Sequence, residues 1–295
     1  MKKLSKRAYG LIYIACIIFL WWLWSAITNK ELFAPSPKAT TDVVVNLFET
    51  GAFFKHLWSS FIRVTSGILI ATVISLPLGM AMAWCKPVGK VFRPIVDSLK
   101  FAPVTCFQSL IVLYFGIGEE MKISLVTIAC IFSFLPTVLQ ICEDSTDEII
   151  KLKETAATMG FSYPRMLIHC LIPYITPSLV TSFINLYAVG WTYVVIAETN
   201  NTQYGLGHLM YIGGARGKTA MVFAAIIILF VFSKLFNMLA TWITKKIFKW
   251  RIEDEKKSVK AWRNQPVIWR EWTLRQHGLY LHTWHLRFFW SFRSW

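Results

Sequence analysis

Six long apolar segments alternate with polar stretches along the chain, at roughly 9–28, 64–85, 101–118, 123–142, 171–197 and 219–243. A bilayer core of about 30 Å takes about 20 apolar residues in helical form, so each segment predicts one membrane span. The third is short and contains Pro103, and the fifth carries Pro173 and Pro177 near its start. Proline is tolerated in such helices because neighbouring helices re-satisfy the freed backbone groups. The pattern predicts an all-α, polytopic membrane protein with six transmembrane helices.

One polar stretch, 143–170, is too polar to span and too long for a simple turn. Within it Ile149, Ile150, Leu152, Ala156, Ala157 and Met159 recur at near-helical spacing. Gly160 stands where a helix would stop, Ser162 offers a cap, and Pro164 follows two residues on. The reading is a helix, a glycine break, a second short helix, and re-entry to the membrane at Ile172-Pro173. Such a hairpin suits docking of a soluble partner or serves as an amphipathic connector.

Composition agrees with the pattern. Of 295 residues, 55% are hydrophobic and only 16% charged, with a mean hydropathy of +0.49. That leaves too little polar surface to coat a water-soluble globule. The net charge of +15 is concentrated at the ends, with Lys2, Lys3, Lys6 and Arg7 at the start and twelve Lys/Arg against four Asp/Glu in 245–295. Basic residues flanking apolar spans are an orientation signal; a nucleic-acid partner would need a basic stripe on a soluble surface. With the N-terminus inside, Lys86, Lys90 and Arg93 and then Lys151, Lys153 and Arg165 fall in cytoplasmic pieces. Both termini are then expected in the cytoplasm of a cell-membrane protein. No small-residue cleavage site follows the first apolar run, so it reads as a retained span.

Candidate chemistry is sparse. The six cysteines show no CxxC pairing and read as small buried hydrophobes, with no metal site expected. His56, His169 and His208 fall in different loops, and no HExxH or GxSxG occurs, so no catalytic residues are assigned. The spans hold almost no ionisable groups; Lys234 is placed to snorkel. Ion-coupled transporters usually carry such groups at midplane, so their absence argues for an external energy source. There is no GxxxxGK[ST], so an ATPase would be a separate chain. Asn185, Tyr187, Trp191, Thr192 and Tyr193 are candidates to face a solute; for Asn185 an interhelical hydrogen bond is the competing reading. Glu198 is placed at the outer mouth, with Arg216 as a partner on the same side.

Glu154-Thr155-Ala156, then Gly160, then Ile172-Pro173 resembles the EAA loop of ABC-importer permease subunits, with Thr155 at the second position. Ser60-Phe61-Ile62-Arg63-Val64 with Gly67, Leu76-Pro77-Leu78-Gly79, Phe115-Gly116-Ile117-Gly118-Glu119, and Ala197-Glu198 followed by Gly205-Leu206-Gly207 are similar to segments of the nitrate/sulfonate/taurine branch. The third span departs, with the single Pro103 where that branch has several prolines. The resemblance covers about residues 10–250.

It implies a type I (MetI-like) importer permease, in which Glu154, Thr155, Ala156, Gly160, Ile172 and Pro173 couple to an ATPase. Ala156 and Ala157 would allow close backbone approach by that partner. Pro103, Asn185, Trp191 and Tyr193 are the candidates for the translocation path. The implied assembly is a homodimer with two cytoplasmic ABC ATPase subunits, which bind ATP and Mg, and an extracytoplasmic solute-binding protein. No cofactor is expected in this chain. The expected organisation is a stub and first span at 1–28, an extracytoplasmic loop at 29–60, and a core of five spans at 61–250 containing the coupling loop at 143–170. A basic, Trp-rich tail follows at 251–295, beyond the resemblance, and reads as a membrane-surface segment or an accidental extension. The competing class is a secondary transporter or channel whose polar loop binds a regulator.

Overall fold

The computed structural model describes residues 6–28, 33–99, 101–144, 147–200 and 202–249. The expected tail at 251–295 lies outside the described residues. Contacts divide the chain into a larger unit, Trp21–Thr244, and a smaller one formed by Met1–Leu20 with Lys245–Trp295. The larger unit holds the helical core and every candidate site residue.

The described elements are all helical. They are α1 (Lys6–Thr28), α2 (Pro37–Glu49), α3 (Ala52–Trp84), α4 (Lys86–Leu99), a 3₁₀ turn (Val104–Phe107), α5 (Gln108–Phe115), α6 (Glu119–Glu143), α7 (Asp147–Thr158) and α8 (Tyr163–Met166). A π-helical turn (Leu167–Leu171) leads into α9 (Ile172–Ala197), followed by α10 (Leu206–Ala215) and α11 (Thr219–Ile247).

Helices α3, α6 and α9 form the core, and small residues explain how α3 and α6 approach. Gly67, Ala71, Ser75 and Gly79 recur every fourth residue on one buried face of α3. A Cβ on Gly67 would lie 2.7 Å from a Val126 methyl, and one on Gly79 2.7 Å from a Val138 methyl. Close backbone approach through small residues is how helices associate in lipid, where apolar burial alone provides no drive. Helix α9 completes the core with Ile175, Leu179, Leu186, Tyr187, Trp191 and Val194. Helix α11 leaves Phe230, Val231, Leu235, Met238, Leu239 and Trp242 exposed, an apolar outer face.

Among the described residues, four stretches are long and apolar enough to cross a membrane: α3, α6, Tyr163–Ala197 and α11. Counting α4 with the helical segment Val104–Phe115 as one span, bent by 97°, makes up to five. The predicted third span, 101–118, holds only the helical segment Val104–Phe115. Pro103 begins a 3₁₀ turn and Gly116, at φ +69°, ends α5 after eight residues. The predicted first span falls in α1, a helix of 23 residues over Lys6–Thr28. Helix α3 begins at Ala52, three turns ahead of the predicted 64, and so runs through the 60/61 boundary. Its early turns carry the polar His56, Ser60 and Arg63, which hydropathy penalises although all three are buried.

The cysteines divide. Cys130 and Cys142 are buried as expected, whereas Cys16, Cys85 and Cys106 are exposed. A thiol is apolar enough to face lipid as readily as a core.

Candidate functional site: the coupling hairpin, the α9 face and the outer ion cluster

The hairpin is built as a helix, a glycine turn and a helical re-entry. Helix α7 ends in a Schellman motif: Phe161 N–H donates to Ala156 O (3.1 Å) and Gly160 N–H to Ala157 O (3.0 Å). Gly160 adopts φ +77°, a left-handed conformation that costs other residues about 1–2 kcal/mol. Phe161 then packs with Ala156, Met166, Leu167, Cys170 and Leu171, closing the hairpin on its own small core. Ser162 occupies the N-cap position of α8, but its side chain makes no capping bond. The π turn is an addition to the expected hairpin. Pro173 has no N–H to offer the His169 carbonyl, and the Ile172 N–H reaches back five residues to Leu167 O.

The six coupling candidates separate by exposure. Glu154 and Thr155 face outward, and the Thr155 hydroxyl donates to Lys151 O (2.8 Å). Ala156 is only 3% exposed. It packs within the small core of the hairpin, whereas Ala157 beside it is exposed. Ile172 and Pro173 open α9, directly after the segment that packs on Ala156. Ile150, Met159, Tyr163 and Ile168 add exposed apolar surface to the hairpin.

The path candidates also divide. Trp191 is 3% exposed and stacks edge-on to Phe232 at 5.5 Å; it is a core residue, because its position on α9 points toward α3 and α11. Tyr193 is half-buried and packs against the core. Pro103 is exposed at the bend before α5. Asn185 is exposed on α9 with Thr181, Ala188 and Thr192, which at helical spacing share one face. Among the described residues Asn185 makes no hydrogen bond to a neighbouring helix.

Sequence reasoning missed a third arrangement, at the ends of the core helices remote from the hairpin. Arg63 grips Glu119 with two bonds, Nε to Oε2 (2.5 Å) and Nη2 to Oε1 (2.8 Å), while Nη1 donates to Glu198 Oε1 (2.7 Å) and to Tyr204 O (2.7 Å). Lys122 Nζ joins Glu119 at 2.9 Å. Glu198 is fully buried and also accepts from the Ser60 hydroxyl (2.7 Å) and Gly207 N–H (2.8 Å). Burial pushes the Glu198 carboxyl up, and the donors from Ser60, Arg63 and Gly207 oppose that shift. Leu206 N–H donates to Ser60, and Gly205 N–H to His56 Nδ1 (3.0 Å). The glycines have a steric cause: a Cβ on Gly205 would sit 2.4 Å from the Glu198 carboxyl, and one on Gly207 2.5 Å from Val195 O.

Glu198 therefore pairs with Arg63 and not with Arg216, which lies exposed at the end of α10. The 205–207 turn folds down over the carboxylate and directs it inward. His56 and His208, far apart in sequence, stack at 6.4 Å beside this turn. Burial and the nearby Lys122, Arg216 and Arg63 lower the His208 pKa. The available signal for the cluster was the set of short motifs containing Ser60, Arg63, Glu119, Glu198, Gly205 and Gly207. Each was visible alone; their meeting point was not.

Comparison with known proteins matches this arrangement of helices and motifs. Residues 75–249 match the model of the binding-protein-dependent transport system inner membrane component. The Bacillus subtilis (strain 168) protein carrying the name aliphatic sulfonates transport permease protein SsuC is 25% identical over 85% of this chain and 91% of its own. The taurine transport system permease protein TauC of Escherichia coli (strain K12) is 24% identical over 81% of this chain and 88% of its own. Among solved structures, an inward-facing form of the MetNI methionine ABC transporter superposes with a TM-score of 0.55 at 18% identity, covering 64% of this chain and 93% of that one. The chain belongs to the binding-protein-dependent transport system inner membrane components: it is the permease subunit of an ABC importer.

Proposed function

We propose that this permease works as a homodimer with two cytoplasmic ABC ATPase subunits and an extracytoplasmic solute-binding protein, and that ATP and Mg bind only in the ATPases. The observation that carries this reading is the hairpin. Glu154 stands exposed on α7, while Ala156 in the same helix packs against the segment that becomes α9. A push on α7 is thereby delivered to the base of the helix that presents Asn185. In this reading ATP binding closes the ATPase pair, draws the two hairpins together and opens the path outward; hydrolysis resets it. Both termini lie in the cytoplasm, and the chain crosses six times, with α1 as the first crossing and the 101–118 stretch, which holds α5, as the third.

The path runs along the exposed α9 face of Thr181, Asn185 and Thr192, with Pro103 at its border. The solute is a small organic or inorganic anion such as a sulfonate, taurine or nitrate. The support is the sulfonate and taurine relatives together with a hydrogen-bonding, uncharged α9 face.

Gentle extraction of the chain from its native membrane, followed by mass spectrometry of co-purifying proteins, tests the assembly. The expected companion is a protein with a nucleotide-binding motif, retained by wild type and lost with Glu154→Lys. Isolation of the chain alone, with uptake that follows a proton or sodium gradient, would favour the ion-coupled transporter.

A further inference from the structure

Helix α4 follows α3 after a single residue, Cys85, and Gly89 makes that turn possible, since a Cβ there would lie 2.6 Å from the Met82 carbonyl oxygen. One side of α4 is committed to the protein: Val96 packs with Met82, Leu135 and Leu139. These partners lie in the final turns of α3 and α6, and Arg93 forms an ion pair with Glu143, the last residue of α6. Helix α4 therefore lies at the same membrane boundary from which the α7 hairpin projects, crosswise to the segment that follows it, at 97°.

The remaining surface of α4 has two chemistries. Val91 is 64% exposed and Ile95 53%, one turn apart, with Phe92 at 39% beside them. At 100° per residue, Lys86 and Lys90 share an arc about 100–180° round the helix from Val91 and Ile95, both exposed, with the exposed Asp97 between them. An apolar strip with lysines on another arc, on a helix lying across the ends of the spans, matches a bilayer interface. The apolar strip enters the acyl boundary and the ammonium groups stay at headgroup level. A water-facing connector would not expose Val91 and Ile95, and a span facing only acyl chains would not carry the lysines.

We propose that α4 is an interfacial helix that binds anionic phospholipid headgroups through Lys86 and Lys90, in the leaflet on the hairpin's side. The occupant is set by charge: the exposed ammonium groups of Lys86 and Lys90 outnumber the single Asp97 carboxylate on their arc, and Arg93 alongside them is already tied to Glu143. The proposal does not depend on the ATPase docking of the hairpin.

The test uses the full chain in nanodiscs, with exposed and half-buried native cysteines replaced by serine and a bimane fluorophore on Val91→Cys. Equal mixtures of phosphatidylglycerol and phosphatidylcholine are compared with the bromine quencher on one lipid or on the other. Attraction of ~1 kcal/mol per basic side chain at an anionic surface corresponds to an enrichment of about fivefold for each lysine. Brominated phosphatidylglycerol should therefore quench several-fold more effectively than brominated phosphatidylcholine. Lys86→Gln with Lys90→Gln should bring the two lipids to parity while both still quench, because both lysines are exposed and the apolar strip is untouched. Equal quenching in the wild-type helix overturns the proposal. So does absence of quenching by either lipid, which would mean that protein, such as a second copy of the chain, covers this face.

Discussion

Arg63 shows how much one buried charge depends on its neighbours. Its guanidinium divides between Glu198, which has no solvent exposure, and Glu119, whose side chain is 57% exposed. Removing one partner of a buried pair leaves an uncompensated charge and costs about 3–5 kcal/mol, whereas replacing both with apolar groups is often neutral. In detergent unfolding, Arg63→Met should therefore be far more destabilising than Glu119→Gln, whose exposed carboxylate is worth about 1 kcal/mol or less. Combining Arg63→Met with Glu198→Leu should recover much of the loss. A double variant as unstable as the sum of its two singles would show that the pair does not act as a unit. The residues of this cluster were legible in sequence only as isolated motifs. Ser60 and Glu198 are separated by 138 positions and Arg63 and Glu119 by 56, and hydrophobic periodicity carries no information about pairing at such distances. Trp191 is the opposite case: an aromatic on an apolar helix has the same local pattern whether it faces the core, as it does here, or a path.

At the scale of elements, the hairpin was the most legible part of the chain, because each step has local chemistry: apolar spacing for α7, glycine for the turn, proline for the re-entry. The π turn was not legible because it depends on how the chain absorbs the missing Pro173 N–H. The early start of α3 and the existence of α4 were hidden because hydropathy reads polar or amphipathic turns as loops. Gly160 is the most sensitive position in the hairpin. Alanine there must adopt φ +77° at about 1–2 kcal/mol, and the open space around the site adds no clash. Proline cannot adopt that φ and also removes the N–H bonded to Ala157 O. Gly160→Ala should retain most ATP-driven uptake; Gly160→Pro should abolish it while membrane insertion and yield stay near wild type. Normal uptake by Gly160→Pro would mean that the turn does not carry the coupling.

For the whole molecule, composition and charge established the membrane class without any structure, because a surface this apolar has no other solvent. The number of crossings was less legible. Counting apolar residues assumes straight helices, and the chain bends by 97° between α4 and the Val104–Phe115 segment that follows it. The family rests on residues 75–249, the part that holds α6, the hairpin and α9. The central claim is that a nucleotide-driven partner grips this chain at α7. The most direct measurement is crosslinking in native membranes from a single cysteine at Glu154→Cys, followed by mass spectrometry of the adduct. Capture of an ATPase with a nucleotide-binding motif is expected, in a yield that changes when ATP is added. A thiol at position 154 that captures no such protein, or that reacts with a membrane-impermeant reagent added from outside the cell, would contradict it.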